Sequence, residues 1–232
     1  MPGAVRIAAG TAERCTRSGT ALTDSAPAIL DLQPLSVPQA GALDISRSEL
    51  PARLRPTANL SILDISEFFG ETTGGVRTYL LEKVRYVQRN PLLRQVLVVP
   101  GAEDQILEGD GVRCYRLHGP PIPTQKPYRF MLATESTSRI VAHERPDLIE
   151  VGSAWAAPWL IRLATRRVDV PTIWFYHSNF PRIIAPRPRS AGWLRRGASA
   201  AAWRYVRRLG RLVHTTIAPS RSEEHTSELQ SQ

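Results

Sequence analysis

The chain has 232 residues, with 30 basic and 21 acidic side chains for a formal charge of +9, and only two cysteines. That length is enough for one domain with a sizeable core. No apolar run is long enough to span a bilayer, and residues 1–24 lack the sustained apolar stretch of a signal peptide. Cys15 and Cys114 are far apart and show no metal-ligand spacing, which excludes a cysteine metal centre and fits two reduced thiols in a cytosolic protein.

The charge is unevenly placed. Residues 182–211 contain nine arginines and no lysine or acidic residue, while the other 202 residues carry 21 basic and 21 acidic side chains and sum to zero. A segment of that kind calls for an anionic surface: nucleic acid, acidic lipid or a phosphorylated ligand.

In chain order, residues 1–58 show little periodicity and many Ala, Ser, Thr, Pro and Gly. They read as a disordered extension, or as upstream sequence translated from a misplaced start, with Ala26–Leu35 as a short docked segment. From residue 59 the texture changes. Strands are predicted at Leu60–Ile65, Gln95–Val99, Val112–Leu117, Leu148–Val151, Thr172–Tyr176 and Thr215–Ala218. Helices are predicted at Gly75–Arg89, Phe130–Glu144, Ala154–Arg167 and Ala198–Leu212. Pro91, Pro146 and Pro171 punctuate the returns from helix to strand. Near-continuous apolar strands such as VLVV and TIWFY need cover on both faces, so the fold class is α/β, a Rossmann-like doubly wound parallel sheet. Ligands in such sheets bind at the carboxyl ends of the strands.

Two motifs fall at those ends. The first is LSILDISEFFGETTGGVRTYLL, Leu60–Leu81, in which a buried strand runs into Gly74-Gly75 and then a helix in which Val76, Tyr79, Leu80, Lys83, Val84 and Val87 recur at helical spacing. Backbone N–H groups and the dipole at such a helix start favour a phosphate, and glycine permits close approach. The same composition also makes a plain tight turn, and no G-x-G-x-x-G is present, which disfavours a dinucleotide-dependent dehydrogenase. The second motif is WFYHSNFP, Trp174–Pro181, which places His177 just past a buried strand, followed by the small polar Ser178 and Asn179. These two are suited to capping a helix or to bonding a hydroxyl-rich ligand.

The final stretch, RSEEHTSELQSQ, breaks the preceding arginine-rich texture and back-translates as a common short-read sequencing adapter. Arg221–Gln232 is therefore expected to be an assembly artefact, with the natural protein continuing beyond Ser220. Glu223, Glu224, His225 and Glu228 are accordingly left out of any site. The alternative is a natural acidic helical tail.

Residues 59–220 are thus the predicted domain, and its motifs occur in a telling order: ISEFFGETTGGVRTYLLEKVRYV, HERPDLIEVGSAWAAPWL, YHSNFPRII and TTIAPSR. In this they resemble the N-terminal, acceptor-side domain of glycosyltransferase family 4, which has the GT-B fold. The resemblance is closest to the branch reading His-Thr-Asp-Phe-Pro or a near variant, which includes glycolipid-forming mannosyl-, glucosyl- and sulfoquinovosyl-type transferases. Ser178 and Asn179 stand where many relatives have Thr and Asp, which leaves the branch less defined than the family.

The resemblance implies transfer of a sugar, with retention, from a nucleotide-diphosphate sugar to a lipid or saccharide. The nucleotide-sugar is a substrate, and neither cofactor nor metal is implied. Gly74 and Gly75 match the turn that approaches the donor diphosphate, and His177 matches the histidine facing the transfer site. Asn179, Ser178 and Glu67 are placed near acceptor or sugar hydroxyls, with Glu67 and Thr73 as loop residues that ordinarily are merely solvated. Asp147 and Ser220 are expected to be structural. The family's second domain supplies a basic pair and a Glu-x7-Glu element, and without it the fragment is expected to be inactive.

Within Ala198–Val213, Trp203, Val206, Leu209 and Val213 fall near one helical face and Arg204, Arg207, Arg208 and Arg211 on another, with Trp193 and Tyr205 as amphipathic rings. A helix of this kind can lie on an anionic bilayer, giving a cytoplasmic protein peripheral on the inner face of the membrane. Its apolar face can equally pack on the sheet. The rival function is a non-enzymatic basic α/β module that binds anionic membrane or nucleic acid through residues 182–211, although no nucleic-acid recognition motif accompanies the charge.

Overall fold

The computed structural model describes residues 33–34, 43–69, 75–123, 127–176 and 192–218. Its elements are β1 (Gln33–Pro34), β2 (Leu60–Ile65), α1 (Gly75–Gln88), β3 (Leu93–Gly101), β4 (Gln105–Gly109), β5 (Val112–His118), α2 (Thr134–Glu144), β6 (Leu148–Val151), α3 (Ala157–Ala164), β7 (Thr172–Phe175), α4 (Gly192–Gly210) and β8 (Thr215–Ile217), with one 3-10 turn at Thr165–Arg167. The strands form a single sheet in the order β1-β4-β5-β3-β2-β6-β7-β8. From β5 to β8 every neighbouring pair is parallel. The antiparallel β4 and β1 extend the β5 edge. Counting only the parallel strands, the order is 3-2-1-4-5-6, the doubly wound pattern expected from the sequence.

The apolar runs make this sheet because their residues alternate between two covered faces. Val96 and Val98 of β3, with Tyr115 and Leu117 of β5, enter a core closed by Ile140 and Val141 of α2, Leu160 and Ile161 of α3, and Val206 and Leu209 of α4. Leu97 and Val99, with Val112 and Cys114, enter the opposite core under Leu80, Val84 and Val87 of α1. Each such side chain removed from water contributes about 1.5–3 kcal/mol.

Four expectations change. First, residues 43–58 are not a disordered extension. Ile45 is fully buried, and its N–H bonds the Asp104 carboxylate at 2.9 Å. Arg139 donates to the Ile45 and Ser48 carbonyls, Arg113 to those of Pro51 and Ala52, and Arg55 reaches back to those of Asn90 and Leu93. Distant side chains clamp this backbone, so it shows no period of its own. Upstream, Gln33–Pro34 pairs with β4, and the rest of the expected segment Ala26–Leu35 lies outside the described residues.

Second, β4 returns into β5 through Asp110-Gly111, with Gly111 at φ +72°. Asp-Gly between two short strands is a hairpin signal. Third, α2 and α3 begin four and three residues later than predicted, because Phe130 continues a short pairing with the carbonyl of Pro120 and because the residues before Ala157 wrap a buried carboxylate. Fourth, α4 spends its apolar face on the core: Ala202, Val206 and Leu209 are buried and Trp203, half-buried, packs beside them. Trp203 is therefore not a membrane-facing anchor. Arg204, Arg208 and Arg211 are exposed and Arg207 is half-exposed. Among the described residues no helix is long and apolar enough to cross a membrane. Residues 221–232 lie outside the described residues.

Candidate functional site at the strand switch point

The chain leaves β2 towards one edge of the sheet and, after β6, proceeds towards the other. A crevice forms where such paths diverge, outside the carboxyl ends of the two central strands. Ser66-Glu67 follows β2 and Gly152-Ser153 follows β6, and the Gly152 N–H bonds the Ile65 carbonyl at 2.9 Å. A Cβ on Gly152 would lie 3.3 Å from both Cβ and Oγ of Ser66, so the two strand ends approach more closely than a larger residue readily allows. Ser66 is 1% exposed and its hydroxyl has no hydrogen-bond partner among the described residues. An unpaired buried hydroxyl is uncommon and costs stability.

Glu67 is buried, 4% exposed, which corrects the expectation of a solvated loop residue. Its carboxylate accepts the Ser153 hydroxyl at 2.8 Å and the Ala156 N–H at 3.0 and 3.1 Å. Helix α3 has no capping side chain at its own N-cap, Ala156, and Glu67 supplies that function from across the sheet. Burial pushes the Glu67 carboxyl above the ordinary glutamate value, against the opposing pull of Ser153 and the backbone amides of Ala156, Ala157 and Trp155.

Beside this crevice, α1 opens at Gly75, where an added Cβ would meet nothing within 4 Å among the described residues. No acidic side chain occupies its first turn, so that turn itself brings no counter-charge to the positive end of the helix. Gly74 and Thr73 lie outside the described residues, as do His177, Ser178 and Asn179. Strand β7 nevertheless delivers the chain to His177 from a firm base: Trp174 and Tyr176 are buried and meet edge to face at 5.2 Å.

Beneath α1 the sheet carries charge. Asp64 of β2 and Glu150 of β6 flank the Lys83 ammonium at 2.6 and 2.9 Å. The Gln95 amide donates to Asp64 at 2.7 Å and the Tyr79 hydroxyl to Glu150 at 2.8 Å. Burial pushes Asp64 up to about 6 despite the pull of Lys83, and the Glu150 charge adds to the rise. Burial works against the Lys83 ammonium, but the two carboxylates outweigh it and raise its pKa above the ordinary lysine value. From the sequence Tyr79 and Lys83 are legible only as positions in the helical repeat of α1, and Asp64, Gln95 and Glu150 were not singled out, although an acid inside each of the apolar strands LSILDI and LIEV was a visible signal.

On the other flank, the Tyr205 hydroxyl of α4 donates to the Trp155 carbonyl at 3.1 Å, and the Arg208 guanidinium sits 4.9 Å above the Trp159 ring. The described arginines of α4 form no ion pairs among the described residues. No group of three or more metal-ligating side chains occurs among the described residues.

Residues 73–228, well over half of the chain, match the sequence model of Glycosyltransferase Family 4. The match begins at the turn into α1 and runs through every later strand and helix of the sheet. No curated protein matches the chain.

Proposed function

Because the chain belongs to Glycosyltransferase Family 4, we propose that it is the acceptor-side half of a retaining hexosyltransferase of the GT-B type. It takes a nucleotide-diphosphate sugar as donor and a lipid or saccharide as acceptor, and a second domain completes it. The observation that carries this is the switch point between β2 and β6, with no acidic side chain in the first turn of the helix beside it and a buried Ser66 hydroxyl that has no partner among the described residues. Gly74 and Gly75 let the donor diphosphate approach the first amides of α1. His177, two residues beyond β7, faces the transferring sugar, and Ser178 and Asn179 bond its hydroxyls or those of the acceptor. Glu67 shapes the crevice, and contact with a sugar hydroxyl would compete with its bonds to Ser153 and Ala156. Retaining transfer asks the protein chiefly to stabilise the departing diphosphate and to hold the acceptor hydroxyl on the same face of the sugar. Half of that machinery is insufficient, so the fragment alone is inactive.

The exposed arginines of α4 favour a membrane-borne acceptor. With the apolar face of the helix buried, this contact is electrostatic and does not insert, and the protein is cytoplasmic and peripheral. Nucleic acid is the disfavoured partner.

The source locus, re-read across the codon for Ser220, should continue into a second α/β domain carrying Glu-x7-Glu. In that full-length protein His177→Ala should lower transfer by roughly 100-fold or more and leave sedimentation with anionic phosphatidylglycerol vesicles unchanged. Reversing Arg204, Arg207 and Arg208 to Glu should abolish the sedimentation. Normal turnover by His177→Ala removes that residue from the site, and a genuine stop codon after Gln232 favours a stand-alone basic module.

A further inference from the structure

The ionic group beneath α1 is an expensive way to hold a helix. Two buried carboxylates share one ammonium, and burying such charges costs desolvation that apolar packing avoids. On the opposite face α3 and α4 are secured mainly by apolar contacts, and α2 is held by ions only at its last residue, Glu144, which meets Arg94 and Arg113. What hydrogen-bonded ions add is direction: they fix a helix in rotation and height, which apolar contact defines less sharply.

The residues involved are arranged for that purpose. Gly75, Tyr79 and Lys83 are spaced four apart and so stack along one face of α1. Lys83 binds the two strands that border the switch point, β2 through Asp64 and β6 through Glu150. Tyr79, one turn nearer the helix start, bonds Glu150 as well, and its ring packs on Phe175, the last residue of β7, at 5.0 Å between centroids. One continuous set of contacts therefore joins the second and third turns of α1 to the carboxyl-end residues of β2, β6 and β7.

We infer that Tyr79 and Lys83 are positioning residues: by tying α1 to the carboxylates of β2 and β6, they set the height and rotation of its first turn relative to the switch-point crevice. The use of that turn, holding a diphosphate, rests on the function proposed above.

The test uses the 232-residue protein labelled with nitrogen-15, with inorganic pyrophosphate as the probe. Tyr79→Phe removes only the hydroxyl and keeps the ring on Phe175, while Lys83→Met removes the ammonium at similar length. In both, amides from Tyr79 to Lys83 should exchange roughly tenfold faster while those from Val84 to Gln88 stay as in the wild type. The Gly75 amide resonance should shift, and pyrophosphate should bind about fivefold more weakly. Lys83→Met leaves two buried carboxylates uncompensated, and if it does not fold, Tyr79→Phe decides alone. Uniform acceleration along α1, or none, overturns the positioning role and leaves the group a purely cohesive one. Selective loss of protection in a protein whose wild type ignores pyrophosphate keeps the clamp and removes the diphosphate from the site.

Discussion

Two buried glutamates sit at opposite ends of the sheet and are treated in opposite ways. At the amino ends of the strands, Glu144 is 1% exposed and takes Arg94 at 2.7 Å, Arg113 at 2.6 Å and the Tyr115 hydroxyl at 2.6 Å. At the carboxyl ends, Glu67 is nearly as buried but has no cation within ion-pair distance among the described residues, only a hydroxyl and backbone amides. The amino end is closed electrostatically, and through Arg113 it also anchors the Pro51 and Ala52 carbonyls of the docked segment. Among the described residues the carboxyl end has an elevated carboxyl, a serine hydroxyl without a partner and a first turn of α1 with no acidic side chain. Within the described residues, the two ends thus differ in how a buried carboxylate is satisfied: by cations at one, by a hydroxyl and backbone amides at the other.

The same substitution at the two ends should separate them most clearly. Glu144→Gln leaves Arg94 buried without its counter-ion and should cost about 3–5 kcal/mol in urea unfolding. A loss below about 1 kcal/mol would show that the amino-end network is cohesive in geometry only. Between the ends lies the third carboxylate system, and its effect should be intermediate and dependent on pH. Asp64 has a folded-state pKa raised from 3.8 to about 6, so the folded chain binds this proton more tightly than the unfolded chain. The stability it contributes is fully present below the unfolded value and is lost as pH rises through about 6. Asp64→Asn should therefore flatten the dependence of melting temperature on pH between 4 and 7, and parallel curves for the two proteins would rule this out.

Glu67→Gln should have the smallest effect, within about 1 kcal/mol at neutral pH. The amide keeps one acceptor for the start of α3 and removes a buried charge that has no cation within ion-pair distance among the described residues. Because the Glu67 carboxyl is also raised, the wild type should gain on this variant as pH falls through the folded value. Urea midpoints of both proteins across that range check the sign, and a wild type that gains instead on raising pH would mean that Glu67 has a cationic partner.

Much of the fold was visible in the chain because its signals are local. The bounds of Leu60–Ile65 and Leu148–Val151 agree with the strands observed, since each is an apolar run between punctuating residues. The hairpin of β4 was missed despite Asp110-Gly111, because QILEG is short and only two of its residues are apolar. The docking of residues 43–58 had no local signature at all: the Arg139 and Arg113 contacts that hold it come from 61 to 94 positions away. Of the candidate site, Gly75 stands where a helix start was expected, and Gly74, His177, Ser178 and Asn179 lie outside the described residues. Glu67 was seen from the sequence as a residue but not as a buried cap.

By itself, then, the amino-acid sequence determined the alternation of parallel strands and helices, the family, and the confinement of the excess charge to residues 182–211. These depend on periodicity, motif order and composition, each readable within a window of neighbouring residues. Tertiary structure alone decided which side of α4 is spent on the core, which carboxylates acquire cations, and what meets at the switch point. Glu67 reaches Ser153 and Ala156 across 86 and 89 positions of chain. Only the strand order, which places β6 directly beside β2, brings them within hydrogen-bonding distance.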